Sequence, residues 1–531
     1  MATAVERPPV PRVEVPEQFN LADWLVDRHV RDGRGGRTAM LCGEEAVTYA
    51  QVADRASCIA AGLARLGVRR EERILLLLLD TPAFAYCFLG AIKLGAVPIP
   101  TNTLLKPPDY EYILNDSRAV AAIVSPALLP ALLAIPRGRL PFLREVIVDG
   151  DAQAGTRGLG ELLQQPPIEK SATTHRDDAA FWLYSSGTTG FPKGAVHLQH
   201  DVVHTVELYA RGVLGITESD RTFSVAKLFF AYGLGNALTF PFAVGATTIL
   251  WPGPPTPANV YSQIERYRPT LCFSVPTNYG QLLAYRREGG GPDFDLSSVR
   301  QAISAGEALP RALFERFKDR FGIEILDGIG STEVLHIFIS NCHGRVRPGS
   351  SGELVPGYQA RLIDEHGAEV PEGEVGNLLI RGDSTCAYYW NKHERTKDTI
   401  EGHWIRTGDK YRRDEDGYYW YAGRSDDMLK VGGIWVSPVE IENTLVEHPA
   451  VQEAGVVARR DRDELEKPVA YVVLAAGHEP SAALAQELQD FVRQKIAEYK
   501  RPRWIEFVPE LPKTATGKTQ RFKLRERAAS A

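Results

Sequence analysis

The chain has 531 residues, of which 44% are hydrophobic and 24% are charged, with 47 glycines and 35 prolines. A single hydrophobic core does not grow to that length, so we expect two or three globular domains and exclude a fibrous or disordered chain. The net charge of −6 argues against sequence-independent binding of nucleic acid, which needs a basic face.

The cysteines and the apolar segments indicate in which cellular compartment the protein would be located. The six cysteines are scattered and lack the paired spacings of a disulfide framework or a zinc site, so we expect a cytoplasmic protein. The N-terminal stretch MATAVERPPVPRVEVP holds acids and prolines instead of the basic start and apolar stretch of a secretory signal. The strongest apolar run, 74–79, is far shorter than the roughly 20 residues that span a bilayer, so no membrane association is expected.

The first part of the chain alternates between helix-like and strand-like segments. A helix is predicted over 50–66, a strand over 74–79 and a second helix over 84–94. Alternation of this kind predicts a parallel sheet with helices on its faces. Further short apolar strands, of the kind that helices cover on both faces, are predicted at 120–124, 144–148, 179–184, 247–250, 270–275 and 324–326.

The pattern changes twice towards the C-terminus. Alternating segments at 359–363 and 376–380 predict antiparallel strands of a β-rich subdomain. Beyond 423, charged helices at 438–447 and 483–498 flank a strand at 470–474. The predicted fold class is therefore α/β. A large N-terminal domain of parallel-rich sheets with helices and a β-rich subdomain occupies 1–425, and a small, mobile α+β domain occupies 426–531.

One short segment, 184–194, combines glycines, hydroxyls and a lysine in the sequence YSSGTTGFPKG. Glycines let the backbone turn tightly enough to direct N–H groups at phosphate oxygens, hydroxyl side chains add donors, and Lys193 adds positive charge. The spacing is not that of a Walker A loop, because no Ser or Thr follows the lysine. The segment therefore predicts a polyphosphate-binding loop that is not a Walker A loop.

This loop resembles the signature of the acyl-adenylate-forming superfamily, which includes acyl-CoA ligases, adenylation domains of peptide synthetases and beetle luciferases. The remaining motifs of that superfamily follow in the expected order as far as the C-terminal lysine. The resemblance implies that ATP or AMP is bound by Ser185, Ser186, Gly187, Thr188, Thr189, Gly190, Ser304, Ala305, Gly306, Glu307, Asp327, Gly328, Ile329, Gly330, Ser331, Asp409 and Arg424. It implies catalytic roles for Lys518, Glu333, Thr332 and Lys193.

The chemistry of these residue types fits the implied roles. Thr332 would contact phosphate, and Glu333 would bind Mg²⁺, a hard cation that prefers carboxylate and phosphate oxygens. Asp409 would accept from the ribose hydroxyls. Lys518 would touch the attacking carboxylate and the α-phosphate, where its charge offsets the negative charge that develops during transfer. Ile329 departs from the superfamily, which usually has a tyrosine there, so the aromatic contribution to adenine binding is lost.

Two further segments, 227–236 and 334–338, resemble the acyl-binding segments of benzoate-CoA ligases. They would form a flat apolar slot that admits a ring in preference to a long alkyl chain. Because an apolar pocket discriminates weakly against a small polar substituent, anthranilate and hydroxybenzoate remain alternatives to benzoate. The implied aryl-binding residues are Phe230, Ala231, Tyr232, Gly233, His336 and Ile337.

The resemblance also implies a domain rotation about Asp426. One orientation would bring Lys518 to the α-phosphate, and the other would withdraw it and present Gly432 and Gly433 along a tunnel for the pantetheine arm. Acetylation of Lys518 would remove the charge that the first step uses and silence the enzyme. The sequence leaves a homodimer open.

Taken together, the motifs predict an ATP-dependent aromatic acid–CoA ligase, most simply a benzoate–CoA ligase, that uses ATP, Mg²⁺ and coenzyme A. A rival hypothesis is an aryl-adenylating enzyme that loads a carrier protein. The chain ends thirteen residues after Lys518, which leaves no room for a fused carrier domain and favours free CoA. A non-catalytic nucleotide-binding scaffold should lack one of Lys518, Glu333 and Asp409, and all three are present.

Three histidines, His197, His200 and His204, lie close together in the chain. No third ligand with suitable spacing accompanies the pair that is four residues apart, so a metal site is not expected. We interpret them as histidines on the surface of a helix.

Overall fold

The structure is a computed structural model. It describes residues 12–187, 190–287, 293–424, 427–431, 434–461, 465–513 and 518–530. All structural statements below concern these residues.

A parallel sheet near the N-terminus confirms the predicted alternation. The predicted strand at 74–79 is Arg73–Leu77, and it lies beside the strand Ala121–Val124 with residues that are almost all buried. The flanking helix Tyr49–Arg65 begins where the Thr48 side chain accepts from the backbone N–H of Gln51, a capping box. The order of the strands across this sheet is Val97–Pro100, Arg73–Leu77, Ala121–Val124, Glu145–Val148 and Arg157–Gly158.

A larger mixed sheet follows. Its central strands, Arg221–Ser224, Leu271–Ser274, Gln301–Ser304 and Ile325–Gly330, are neighbours that pair in parallel. Parallel strands place their carboxyl ends at one edge, which is where open α/β sheets bind their ligands. The order across the sheet is Glu353–Leu354, Ile337–Ser340, Ile325–Gly330, Gln301–Ser304, Leu271–Ser274, Arg221–Ser224, Thr247–Ile249, Thr38–Cys42 and Glu45–Thr48.

The predicted strand at 179–184 was grouped with the parallel strands, and that assignment is wrong. The segment is part of Ala179–Gly187, which forms an antiparallel hairpin with Gly190–Leu198. The hairpin is extended by Tyr388–Tyr389 into a separate sheet. An apolar strand that is buried on both faces looks the same in sequence whichever way its neighbour runs, so the residues alone could not separate the two arrangements.

Most of the remaining strands are antiparallel, as predicted for 359–363 and 376–380, but the C-terminal strands Glu466–Leu474 and Trp504–Phe507 pair in parallel. The β-rich part contains Gln359–Ile363, Val375–Arg381, Ile400–Glu401, Trp404–Arg413 and Tyr419–Arg424. It is followed by the short pair Leu429–Val431 and Ile434–Val436. The C-terminal sheet contains Val451–Arg460, Glu466–Leu474 and Trp504–Phe507, and it packs with helices in a separate hydrophobic cluster.

Helices cover the faces of the sheets. Where the structure describes the chain, no helix is long and apolar enough to cross a membrane. The α-helices are Arg28–Arg31, Tyr49–Arg65, Pro82–Leu94, Pro107–Ser117, Leu129–Leu133, Leu159–Leu163, Asp201–Thr205, Ala231–Leu234, Phe240–Val244, Pro257–Tyr267, Pro276–Ala284, Arg311–Phe321, His393–Thr399, Pro438–Val446, Ala482–Lys495 and Arg521–Ala529.

Candidate active site

The nucleotide-binding segments predicted from the sequence meet at one edge of the large sheet. The segment 304–307 begins at the end of strand Gln301–Ser304, and 327–330 ends the neighbouring strand Ile325–Gly330. The aryl-binding segment 230–233 follows the parallel strand Arg221–Ser224. Because these strands are parallel, their carboxyl ends lie together and bring the three segments into one cleft.

The predicted phosphate loop is the tip of the hairpin described above. Ser185 lies opposite Lys193 across the hairpin, and Gly187 lies opposite Gly190. Thr188 and Thr189 lie outside the described residues, and for Ser186, Gly187 and Gly190 only the backbone is described. The hairpin therefore places Lys193 opposite Ser185, beside the predicted glycine- and hydroxyl-rich loop.

Glu333 lies at the centre of a partly buried polar cluster beside this hairpin. Its Oε1 accepts hydrogen bonds from the hydroxyl of Tyr389 at 2.6 Å and from Ser185 Oγ at 3.2 Å, and Lys193 Nζ lies 3.4 Å away. Burial raises the pKa of Glu333, but Lys193 and the hydrogen bonds from Tyr389 and Ser185 outweigh burial and hold it below its ordinary value. Glu333 is therefore a carboxylate at neutral pH, as a magnesium ligand must be.

Tyr389 is a site residue that sequence reasoning missed. It lies in the short strand Tyr388–Tyr389, opposite Ala195 of the hairpin, and its side chain is almost fully buried. Its hydroxyl accepts from Lys193 Nζ at 2.7 Å while donating to Glu333. Lys193 and Tyr389 are 196 positions apart. No local pattern reports such a contact, and the only signal was an aromatic cluster at 388–390.

The predicted ribose carboxylate, Asp409, lies opposite Arg424 on adjacent antiparallel strands. Arg424 Nη1 donates to Asp409 Oδ1 at 3.2 Å and to the backbone carbonyl of Thr407 at 3.2 Å. Burial raises the pKa of Asp409, and the charges of Arg424 and Lys518 partly oppose that effect. The structure thus brings together two predicted nucleotide residues and the predicted catalytic lysine.

Lys518, near the end of the chain, reaches the segment predicted to bind adenine. A Cβ atom placed on Gly306 would lie 3.9 Å from Cε of Lys518, and Gly306 has φ of +93°, which favours glycine. Burial raises the pKa of the neighbouring Glu307, while a hydrogen bond from Thr277 and the charge of Lys518 act in the opposite direction. The C-terminal part of the chain is therefore oriented so that Lys518 lies against the predicted adenine segment.

The remaining predicted nucleotide residues differ in what their side chains do. The carboxyl group of Asp327 is buried and lies 3.4 Å from the backbone N–H of Leu309, and burial raises its pKa well above the ordinary value. It therefore contacts the segment that follows Glu307, and Ser304 also interacts with it. Ile329 is only half-buried and pairs with Ile339 on the adjacent antiparallel strand. An aliphatic face is thus presented where the superfamily usually has an aromatic ring.

The predicted aryl-binding residues form an apolar wall on the other side of the cleft. The His336 ring packs against Phe240 and Tyr232, with ring centres 4.4 and 5.6 Å away. His336 Nε2 lies 3.1 Å from Asn236 Oδ1 and 3.4 Å from the carbonyl of Tyr232. Both are acceptors, so Nε2 carries the hydrogen. Burial lowers the pKa of His336 to about 3, which makes the imidazole neutral.

A small pocket lies beside this histidine, and of the predicted aryl-binding residues Ala231 and His336 line it. A Cβ on Gly235 would lie 2.3 Å from the imidazole, so only glycine admits His336 at this position. Phe230 packs on Phe229 at 4.4 Å, and Ile337 is buried in strand Ile337–Ser340. The residues that line the pocket are Val202, Thr205, Ala231, Leu234, Gly235, Thr239, Leu335 and His336.

The other expectations have mixed outcomes. Asp426, Gly432 and Gly433, predicted for the hinge and the pantetheine tunnel, lie outside the described residues. The interpretation of the three histidines as helix-surface residues is wrong for His197, which is fully buried in strand Gly190–Leu198. His200 and His204 are partly buried at and within helix Asp201–Thr205. Within the described ranges, no group of three His, Cys, Asp or Glu side chains could hold a metal ion.

Comparison with known proteins places this geometry in a family. Residues 26–390 match the AMP-binding enzyme family, and residues 440–518 match the AMP-binding enzyme C-terminal domain. A benzoate–CoA ligase of Thauera aromatica is 50% identical over 521 residues, covering 97% of each chain. A 4-hydroxybenzoate–CoA/benzoate–CoA ligase of Rhodopseudomonas palustris is 44% identical, covering 96% of this chain and 94% of that protein.

Solved structures agree with the sequence comparisons. The anthranilate CoA ligase AuaEII in complex with anthranoyl-AMP has a TM-score of 0.93 and 47% identity, covering 97% of this chain and 98% of that one. A benzoate CoA ligase from Burkholderia xenovorans has a TM-score of 0.88 and 48% identity, covering 96% and 100%. Fold and site together define an adenylate-forming ligase. The chain belongs to the AMP-binding enzyme family, which confirms the predicted superfamily, fold class and enzyme class.

Proposed function

We propose that this protein is an AMP-forming aromatic acid–CoA ligase whose preferred acid is benzoate. The observation that carries the proposal is that Lys518 lies against Gly306 and that its charge, like that of Glu333, acts on Asp409. Lys518 and Lys193 thus both bring positive charge to the region where the nucleotide and acid segments converge. The relatives named above act on benzoate, hydroxybenzoate or anthranilate, and this similarity supports an aromatic substrate.

In the first step, a carboxylate oxygen of the acid attacks the α-phosphorus of ATP, the bond to the bridging oxygen breaks, and pyrophosphate leaves. We assign Lys518 to the α-phosphate and the attacking carboxylate, where its charge is most effective as the transition state forms. Lys193, Thr332 and the hairpin turn would hold the β- and γ-phosphates. Asp409 would accept from the ribose hydroxyls, with Arg424 keeping its carboxylate in place.

Magnesium fits the residues that are present. Glu333 supplies a partly buried carboxylate beside the predicted phosphate hairpin, and Mg²⁺ in such sites takes one or two carboxylates together with phosphate oxygens. The ion would neutralise phosphate charge. The described contacts of Glu333, to Ser185, Lys193 and Tyr389, hold the carboxylate in position.

In the second step, the thiol of CoA attacks the carbonyl carbon of the acyl-adenylate and AMP leaves. This step needs the small domain, which we propose begins at residue 426, to rotate about Asp426 and present Gly432 and Gly433 to the pantetheine arm. Acetylation of Lys518 would then block the first step selectively. Homodimer formation and a cytoplasmic location stay predictions.

A pyrophosphate-release assay with a panel of acids tests the proposal. We expect release with benzoate, weaker release with 2-aminobenzoate and 4-hydroxybenzoate, and little with cyclohexanecarboxylate or a fatty acid. Formation of ADP and orthophosphate, or preference for the fatty acid, would contradict the proposal. Comparing release of aroyl-CoA with loading of a holo carrier protein separates the ligase from the carrier-loading alternative.

A further inference from the structure

A fully buried histidine–aspartate pair lies directly behind the predicted catalytic turn. His197 Nδ1 lies 2.8 Å from Asp201 Oδ2, and neither side chain is exposed. The other ring nitrogen, Nε2, lies 2.8 Å from the backbone carbonyl of Thr332. A carbonyl oxygen only accepts hydrogen bonds, so Nε2 of His197 donates to it.

The imidazole is locked in this orientation by its surroundings. Asp201 Oδ2 also accepts from the backbone N–H of Leu198 at 3.1 Å, which fixes the carboxylate next to the strand that carries His197. The His197 ring stacks on Phe181, with ring centres 5.5 Å apart and planes at 27°. When a carboxylate binds one ring nitrogen of a histidine, it fixes the orientation of the ring and so the direction of the other nitrogen. Carboxylates orient metal-binding histidines in the same way.

The turn that His197 contacts has an unfavourable backbone conformation. Leu335, two residues after Glu333, has φ of +71°, in the left-handed region that is unfavourable for a leucine. The carbonyl of Thr332 also accepts from the N–H of Leu335 at 3.2 Å. The next two carbonyls are held as well: Cys386 N–H donates to Glu333 O at 2.7 Å, and Ser384 Oγ donates to Val334 O at 2.8 Å.

The strand Gly190–Leu198 therefore holds the same turn at two points. Lys193 contacts the side chain of Glu333, and four residues later His197 contacts the main chain of Thr332. Loss of the contact between His197 and the Thr332 carbonyl would move the Thr332 hydroxyl and the Glu333 carboxylate relative to the phosphate hairpin. Both side chains are attached to the backbone next to that carbonyl.

We propose that His197, oriented by Asp201, is a positioning residue for the adenylation step. It fixes the turn that presents Thr332 and Glu333 to the phosphates of ATP and to magnesium, and this assignment rests on the proposed function. Thioester formation uses the acyl-adenylate after pyrophosphate has left, so it depends much less on this turn.

The test compares the two half-reactions in His197→Leu, which removes both ring nitrogens, and His197→Gln, which keeps an N–H donor near the carbonyl of Thr332. Adenylation is followed by pyrophosphate exchange with benzoate, and transfer is followed from supplied benzoyl-adenylate to CoA. Asp201→Asn provides a second variant if His197→Leu does not fold. The matched control is His29→Leu, because His29 is also buried and its Nε2 contacts the Phe242 carbonyl at 2.6 Å, away from the turn.

We expect His197→Leu to slow adenylation by about 10–100-fold, as small misplacements of catalytic groups do, and to raise KM for MgATP while transfer is unchanged. His197→Gln should recover much of the loss, Asp201→Asn should show a smaller loss in adenylation alone, and His29→Leu should leave the ratio of the half-reactions unaltered.

Equal loss in both half-reactions, no rescue by glutamine, or the same split in His29→Leu would overturn the assignment. A wild-type protein that releases no pyrophosphate with any acid would overturn the proposed function as well.

Discussion

The hydroxyl of Tyr389 donates a 2.6 Å hydrogen bond to Oε1 of Glu333, the carboxylate assigned to magnesium. The same hydroxyl accepts from Lys193, so one phenol holds both charged groups of the phosphate site. Lys193 and Glu333 come from distant parts of the chain. The tyrosine therefore fixes their positions relative to each other, which neither the hairpin nor the turn does alone.

Tyr389→Phe removes this hydroxyl and keeps the ring. A hydrogen bond to a charged group contributes about 1.5–3 kcal/mol, so we expect adenylation to fall by about 10–100-fold with a raised KM for MgATP. Pyrophosphate exchange at varied MgATP measures the effect. Tyr388→Phe is the matched control, since Tyr388 is the preceding residue of the same strand and is 40% exposed. Unchanged exchange in Tyr389→Phe would show that the phenol has no part in holding Glu333.

Lys518→Ala should separate the two half-reactions. Loss of a group that stabilises the transition state costs about 10²–10³-fold, so pyrophosphate exchange should become very slow while transfer from supplied benzoyl-adenylate to CoA persists. Lys513→Ala is the control, because Lys513 belongs to the same segment but pairs with Glu453 at 2.8 Å. Loss of both half-reactions to the same degree in Lys518→Ala would contradict the assigned role.

Ile329→Tyr restores the aromatic residue that the superfamily usually has. Ring stacking contributes about 0.5–1.5 kcal/mol, so KM for ATP should fall by about 2–10-fold. Steady-state kinetics at saturating benzoate provide the measurement. Ile329→Val keeps an aliphatic face and should leave KM nearly as it is. A tyrosine variant that turns over normally with an unchanged KM would mean that adenine does not contact this position.

His336 predicts how stability depends on pH. Its pKa in the folded protein is about 3, below the value of about 6.5 for an unfolded histidine, so between these values the unfolded state binds more protons. The contribution of neutral His336 to the free energy of unfolding is therefore fully present above about pH 6.5 and decreases as the pH falls. At pH 5 the free energy of unfolding should be lower by about 2 kcal/mol.

Thermal unfolding of the wild type and of His336→Leu at pH 7 and pH 5 measures this effect. The variant should lose less stability between the two pH values than the wild type does. His366→Leu, at an exposed turn position, serves as the control and should behave like the wild type. The same pH dependence in wild type and His336→Leu would show that another group accounts for the acid sensitivity.

Much of the fold was accessible from the sequence because periodicity and strand ends are local properties. The predicted helix at 84–94 is Pro82–Leu94, and the predicted strand at 144–148 is Glu145–Val148. The segment 179–184 shows the limit of such reasoning. Its first residue and its burial were predicted, but the strand runs on to Gly187 and its partner is antiparallel, and neither feature could be inferred from the apolar run alone.

In the candidate site, too, the residues within local motifs could be predicted and the residues that act through long-range contacts could not. Motifs located Lys193, Glu333 and Lys518, because each lies in a short run of residues whose chemistry can be interpreted by itself. Tyr389 and His197 could not be found in this way. Their roles exist only through contacts across 196 and 135 positions, which form when the hairpin, the turn and strand Tyr388–Tyr389 come together.

The approach of Lys518 to Gly306 has a consequence for inhibition. With the Lys518 side chain beside Gly306 and Asp409 held by Arg424, the groups that would contact a mixed anhydride lie close together. An unreactive mimic of that anhydride, with a sulfamoyl link in place of the phosphoryl group, would bind this arrangement without a swing of the small domain. Once bound, it would stop the cycle before the thiol could enter.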